Sequence, residues 1–269
     1  MDDLAALRWL VEAGADEAIG ETPLDRFAAL PPPPPIAAPA AKTPARAVVP
    51  VPAAPVAAPT LAAPQPAAQA ELAARTAAAA AQSLAELRAA VAAFEGCALK
   101  ATATNLVFAD GNPAAPLMLM GDAPRADDDR TGTPFSGDIG KLLDRMLATI
   151  GLDRSSVYIA NAIPWRPSGD RQPTPAEIAA CLPFARRHIA LARPKLLVLF
   201  GELAARSLLG TSEGIIKLRG RWKSYEDPAL PAPINVLATY HPWYLLKQPL
   251  QKRDSWSDLL SIKQKIGEL

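Results

Sequence analysis

Four short apolar runs set the limits on what this chain folds into: LMLMG (117–121), SVYIANA (156–162), KLLVLFG (195–201) and INVLATY (234–240). They are too short for core helices and lack the polar alternation of a half-exposed strand, so each reads as a strand covered on both faces. Between them lie segments of helical character. GDIGKLLDRMLATIG follows the first run, 175–192 the second with Pro175 in its first turn, 202–209 the third, and about 251–267 the fourth. Such alternation predicts an α/β fold, a three-layer αβα arrangement around a central four-stranded, mainly parallel sheet.

Upstream of this pattern the composition changes. Thirteen of the 29 prolines fall between Pro31 and Pro66, and the segment 29–68 is otherwise mostly alanine. Without large apolar side chains to offset ordering entropy, it is expected to be an extended, polyproline-like linker. Ahead of it, residues 1–28 carry a short amphipathic helix over 4–14, with Leu4, Leu7, Leu10 and Val11 at helical spacing. Eleven residues bury too little to fold alone, so this helix is expected to dock on a protein partner. Residues 69–93, rich in strong helix formers and striped with Leu84, Leu87 and Val91, read as one helix leading into a domain over 94–269.

Charge and cysteine content exclude several classes. Residues 1–93 hold 6 Lys/Arg against 9 Asp/Glu, and residues 94–269 hold 22 against 18, so the domain is mildly basic and permits nucleic-acid binding. Two cysteines make no disulfide framework. The start MDDLAALRWLVEAG has no basic region before an apolar run, and proline bars the Ala/Pro tract from spanning a membrane. A soluble, cytoplasmic protein with no membrane partner is expected.

In an open parallel sheet, ligands bind beyond the carboxyl ends of the strands. That rule selects GDAPRADDDRTGTPFSG, NAIPWRPSGDRQPTP, the GE pair after strand three, and HPWYLLK. No phosphate loop, dinucleotide fingerprint or nucleophile elbow is present.

Taken in order, GDAPRADDDRTGTPFSG, NAIPWRP, RGRW and YHPWYLL resemble family 4 of the uracil-DNA glycosylase superfamily over roughly residues 94–265. The resemblance implies hydrolysis of the N-glycosidic bond of uracil in DNA, leaving an abasic site for base excision repair at the nucleoid. Cleavage develops positive charge on the sugar, and by similarity Asp122 stabilises it, where the family typically has glutamate. Asp128 is the alternative carboxylate, while Asp127 and Asp129 read as part of a solvated loop or of a helix N-terminal cluster. His241 would donate a hydrogen bond to uracil O2. Asn161, with donor and acceptor on one amide, would match uracil and refuse cytosine. Phe135 would stack on the extruded base, with Ala123 and Pro124 lining the same pocket. Leu245 and Leu246 are the wedge candidates for base flipping. Lys247, Arg219 and Arg221, with Lys252 and Arg253, are the candidates for backbone phosphates. His188, beside Arg186 and Arg187, reads as structural. No lysine occupies an evident Schiff-base position, so a monofunctional enzyme without strand cleavage is expected.

Two departures from the family pattern stand out. The resemblance implies a four-iron–four-sulfur cluster on four cysteines, of which Cys97 and Cys181 match two, while Phe94 and Trp165 hold the other two positions. Two thiolates cannot supply four ligands, so no cofactor is expected and the aromatic pair is predicted to plug the space. In the strand-one loop, Gly-Glu-Ala-Pro-Gly becomes Gly121-Asp122-Ala123-Pro124-Arg125. Asp122 is one methylene shorter, and Arg125 would either fill the pocket or grip a phosphate. A catalytically weakened DNA-binding or repair-scaffold protein of the same fold is therefore the alternative reading.

Overall fold

The computed structural model describes residues 66–269. The helix expected over 4–14, its proposed partner contact and nearly all of the Pro/Ala-rich segment lie outside the described residues.

Six strands form one mixed sheet: β1 (Ala109–Gly111), β2 (Leu117–Gly121), β3 (Tyr158–Asn161), β4 (Leu196–Phe200), β5 (Trp222–Tyr225) and β6 (Ile234–Thr239), in the order β1-β3-β2-β4-β6-β5. The inner four are parallel and correspond to the four apolar runs. The expected four-stranded sheet is thus extended by two antiparallel edges. β1 is only Ala-Asp-Gly and β5 is Trp-Lys-Ser-Tyr, so neither carries the continuous apolar signal of a buried strand.

Side-chain alternation along the inner strands fills both faces. On one face, Met118, Met120, Leu197, Leu199 and Val236 pack with Ile189 of α5 (Pro175–Ala192) and with Ala204, Ala205 and Leu208 of α6 (Glu202–Leu209). On the other, Leu119, Ile159, Val198, Phe200 and Leu237 meet Leu143 and Leu147 of α4 (Gly137–Thr149), and Leu259 and Ile262 of α9 (Lys252–Gly267). These two cores make the three layers.

The single helix expected over 69–93 is two: α1 (Pro66–Ala80) and α2 (Leu84–Ala93). Ser83 starts the second. Its hydroxyl accepts the Glu86 N–H at 3.2 Å while the Glu86 carboxylate accepts the Gln82 N–H at 2.8 Å, a reciprocal cap that outweighs the alanine propensity on either side. Ala74, Ala78, Leu87 and Val91 then pack in one core with Ala180, Cys181 and Phe184 of α5. Among the described residues no helix is long and apolar enough to cross a membrane.

Three short helices complete the elements used below: α3 (Ala126–Thr131), α7 (Ile215–Leu218) and α8 (Pro242–Lys247). The acidic run 127–129 falls in the first turn of α3, as a helix N-terminal cluster would, while α7 and α8 are too short to carry a helical repeat in the sequence.

Candidate active site

The parallel register aligns Gly121 with Asn161 on one side and Phe200 on the other, and Phe200 with Thr239. The four inner strands therefore end in one row. The residues that follow, Asp122, Gly201 and the segment Tyr240–His241, line a cavity of about 260 Å³ together with Ala123, Pro124, Arg125 and Trp243. The opposite wall comes from Pro167, Asp170 and Gln172 in the loop after β3.

His241 caps α8. Its Nδ1 accepts the Trp243 N–H at 3.1 Å, which leaves Nε2 as the protonated nitrogen of the neutral ring. Burial, with the Arg125 charge adding to it, pushes the pKa down to about 3. The ring is a neutral donor.

Asp122 faces the start of α6, where its Oδ1 accepts the Ala204 N–H at 2.8 Å. Its carboxyl lies so close to Gly201 (φ +109°) that a Cβ there would meet Oδ2 at 2.2 Å. Burial pushes its pKa up to about 7 against the opposing pull of that N–H and of Arg125. A buried acid poised near neutrality suits proton or charge chemistry.

Phe135 and Asn161 form a second group. Phe135 is 1% exposed, stacks on His241 at 5.1 Å with 15° between the planes, and does not line the cavity. It sits at φ +53°, an unfavourable region for an aromatic residue, and Arg154 holds it there by donating to its carbonyl at 2.6 Å. Asn161 is buried and its Nδ2 has no hydrogen-bond partner. A Cβ at Gly121 would come within 2.5 Å of Asn161 Oδ1 and 2.6 Å of the Phe135 ring, so only glycine leaves room here.

Several sequence expectations are corrected. Asp128 accepts the N–H groups of Arg125 and Ser136 at 3.0 and 2.6 Å, so both oxygens serve the turn, and it does not line the cavity. Asp129 is not solvated: it is buried and accepts from the Thr104 and Asn105 N–H groups at 2.8 and 3.0 Å. Leu245 is 1% exposed and belongs to the core, which removes it as a wedge. Arg219 is committed to Asp258 at 2.7 and 3.2 Å and to the Asp254 carbonyl at 2.6 Å, which removes it as a phosphate contact. Leu246, Lys247, Arg221, Lys252 and Arg253 are exposed. His188 is buried, donates or accepts at Tyr158 Oη across 2.7 Å, and stacks on Phe108.

Trp243, Asp170 and Arg166 join the site without having been sequence candidates. The Arg125 guanidinium lies 3.8 Å from the centre of the Trp243 ring, and Lys247 Nζ lies 4.2 Å from it. Trp243 stood inside the HPWYLL motif, which was the available signal.

Cys97 and Cys181 are buried with their sulfurs 3.7 Å apart, in one core with Phe94 and Trp165. The chain holds two cysteines in all, and among the described residues no group of three or more His, Cys, Asp or Glu side chains is placed to hold a metal. The residues present do not fit a four-thiolate cluster.

Comparison with known proteins accords with this geometry. Residues 108–260 match the family model of the uracil DNA glycosylase superfamily. The chain is similar to the type-4 uracil-DNA glycosylase of Archaeoglobus fulgidus, 38% identical over 64% of this chain and 86% of that protein. It is 35% identical to the type-4 uracil-DNA glycosylase of Sulfurisphaera tokodaii over 68% of this chain and 84% of the relative. A third of the same name, from Thermotoga maritima, is 35% identical over 56% of this chain and 77% of its own length.

Proposed function

Because the chain belongs to the uracil DNA glycosylase superfamily, we propose that it is a uracil-DNA glycosylase of base excision repair, hydrolysing the N-glycosidic bond of uracil in DNA. The observation that carries this reading for the chain's own residues is the meeting of three groups at one sheet edge. They are a carboxyl near neutrality on Asp122 and a neutral donor on His241, both lining the cavity, and an unpartnered amide on Asn161 at the adjoining strand end, behind the lining.

In this reading Asp122, once ionised, stabilises the cationic sugar and orients water. His241 Nε2–H meets the charge growing on the leaving base, an interaction stronger in the transition state than in the ground state. The Asn161 amide reads the base edge, its Nδ2 gaining the acceptor it lacks in the free protein. Phe135, stacked behind the His241 ring, holds that donor in place rather than meeting the base from the cavity. Ala123 and Pro124 form the wall beneath. Water, not lysine, is the nucleophile, so the product is an abasic site on an intact strand.

A base in a duplex must be extruded to enter this cavity. Leu246, 38% exposed, and Leu250, 90% exposed, flank Lys247 and take the wedge role in place of Leu245. Arg221, Lys252 and Arg253 supply positive charge for the backbone. The protein functions in this reading without the iron–sulfur cluster that the resemblance implies, the Phe94 and Trp165 side chains taking up its space. Its site of action is the cytoplasm at the nucleoid.

A second reading, a repair protein with weakened catalysis, draws on the Asp122–Ala204 hydrogen bond, which ties the shortened carboxylate to α6. One assay separates the two: release of uracil from a single-uracil oligonucleotide, with abasic sites revealed by alkali, for wild type, Asp122→Ala and His241→Ala. Release that collapses in both variants supports the enzyme. Specific binding without release supports the second reading, and release surviving both substitutions overturns the residue roles.

A further inference from the structure

One cation in the cavity wall is held but not hydrogen-bonded. Among the described residues, the charged contact of the Arg125 guanidinium is Asp170 Oδ2 at 3.7 Å, beyond hydrogen-bonding reach. Asp170 is already engaged, accepting from Arg166 Nε at 2.7 Å. The guanidinium instead lies on the indole of Trp243 at 3.8 Å. Stacking fixes the plane of a guanidinium and leaves its donor edge free, the arrangement suited to a bidentate acceptor. Because the cavity persists at about 260 Å³ with Arg125 in its wall, the side chain does not fill the space.

The chemistry of the substrate says what reaches that edge. The bond to be cleaved joins base to sugar, so a base inside the cavity puts its sugar, and the phosphates on either side, at the mouth. Of the cations in the cavity lining, Arg171 is committed to Glu177 at 2.7 Å, which leaves Arg125 as the one without a hydrogen-bonded carboxylate among the described residues, with Arg166 close by on Asp170 and Lys247 over the same Trp243 ring. A phosphodiester offers two anionic oxygens in the geometry a guanidinium fork accepts.

We propose that Arg125, oriented on Trp243, grips a phosphodiester flanking the nucleotide whose base enters the cavity, and that Asp170 holds the cation until that phosphate replaces it. The proposal rests on the uracil-DNA reading above and deepens it, making Arg125 a binding residue of this chain where the family pattern has glycine.

The test measures affinity for a fluorescent oligonucleotide carrying 2′-fluoro-2′-deoxyuridine, which resists cleavage because fluorine disfavours the sugar cation, across a salt series. Steady-state uracil release from the ordinary substrate runs beside it. Arg125→Ala is expected to weaken binding about tenfold, to flatten the dependence of log affinity on log salt by about 0.7–0.9, and to place most of its kinetic loss in KM. Arg125→Lys, which keeps the charge and loses the fork, is expected to retain the salt slope and recover part of the affinity. Asp170→Asn is expected to bind a few-fold tighter by removing the competing anion.

An unchanged slope in Arg125→Ala overturns the proposal, as does a rise in kcat with KM unaltered, which marks a plug. Weaker binding in Asp170→Asn overturns the part given to Asp170. If wild type releases no uracil while Arg125→Ala still flattens the slope, the glycosylase reading falls and the phosphate grip stands. Robust release with an unaltered slope has the opposite meaning.

Discussion

His241 accepts the Trp243 N–H at Nδ1 across 3.1 Å, and this contact fixes which ring nitrogen can donate to a substrate. With the pKa down at about 3 through burial and the Arg125 charge, the imidazole is neutral across the working range. In the proposed reaction it contributes a hydrogen bond whose strength grows as the base becomes anionic. His241→Ala is expected to lose about 100- to 1,000-fold in kcat, with substrate affinity changed much less. Ring resonances followed by NMR are expected to show no protonation of His241 between pH 5 and 8. A titration in that interval contradicts the assignment.

Asp122 predicts the pH dependence instead. Its folded pKa of about 7 lies above the ordinary carboxylate value of 3.8, with burial the first cause. If Asp122 acts as proposed, its ionised form is the active one, and kcat is expected to rise with pH and level off above about pH 7. Stability runs the other way, because the folded state holds this proton more tightly than the unfolded chain. The contribution is complete below the unfolded pKa and is lost as pH rises through the folded one. Asp122→Asn is therefore expected to be inactive yet more stable than wild type at pH 8, by at least about 1 kcal/mol, or roughly 2–4 °C in Tm. His188 and His241, both depressed to about 3 by burial, act in the opposite sense below neutrality, so the variant is compared with wild type at each pH. An equal Tm at pH 8 removes the buried-acid account.

The four inner strands were legible within two residues because burial on both faces writes a continuous apolar run. What escaped reading depended on partners distant in sequence or on helical phase. Arg219 looked like a free surface charge because Asp258, its partner, lies in α9. Asp129 looked solvated because the backbone groups it holds, at Thr104 and Asn105, precede it by 25 and 24 residues, with β1 and β2 in between. Leu245 and Leu246 were equivalent as loop residues. As α8 they separate, with Pro242 and Leu245 on the buried side and Leu246 turned outward. The candidate site itself was legible from the rule of strand ends, since register carries Gly121, Asn161, Phe200 and Thr239 to one row.

Asn161 predicts a trade of stability against function. A buried amide whose Nδ2 lacks a partner destabilises the free protein. Asn161→Leu removes that polar group at similar volume and is expected to leave Tm unchanged or raised, while uracil release falls by at least about 100-fold for want of the amide's polar contacts. A large fall in Tm instead makes the amide a structural element and removes it from base reading.

Arg219 predicts the reverse. Asp258 is 2% exposed and is held by Arg219 and by the Thr239 hydroxyl at 2.6 Å. Arg219→Ala leaves that buried carboxylate without its cation, and chemical denaturation is expected to show a loss of about 3 kcal/mol. The salt slope of DNA binding is expected to match wild type. Arg221→Ala, at an exposed position nearby, is expected to keep stability and flatten the slope. Exchange of these two outcomes restores Arg219 as a phosphate contact.

Cys97 and Cys181 share one core with the aromatic side chains of Phe94, Trp165 and Phe184. Phe94 and Phe184 meet edge to face at 5.1 Å, and Trp165 is 2% exposed in the same core. Aromatic side chains packed this way supply the cohesion that metal ligation would otherwise give the region. Trp165→Ala opens a cavity beside α5 and is expected to destabilise by about 3–5 kcal/mol in urea or guanidinium. The double variant Cys97→Ala/Cys181→Ala removes only two small side chains, and is expected to stay folded, with each thiol lost costing about 1–2 kcal/mol. Chelator treatment is expected to leave the melting curve of wild type unchanged, because among the described residues no ligand set ties metal to folding. Iron and acid-labile sulfide in the purified protein are expected to be far below one cluster per chain. A chelator-induced fall in Tm, abolished in the double cysteine variant, overturns this account and returns the cysteine pair to metal binding.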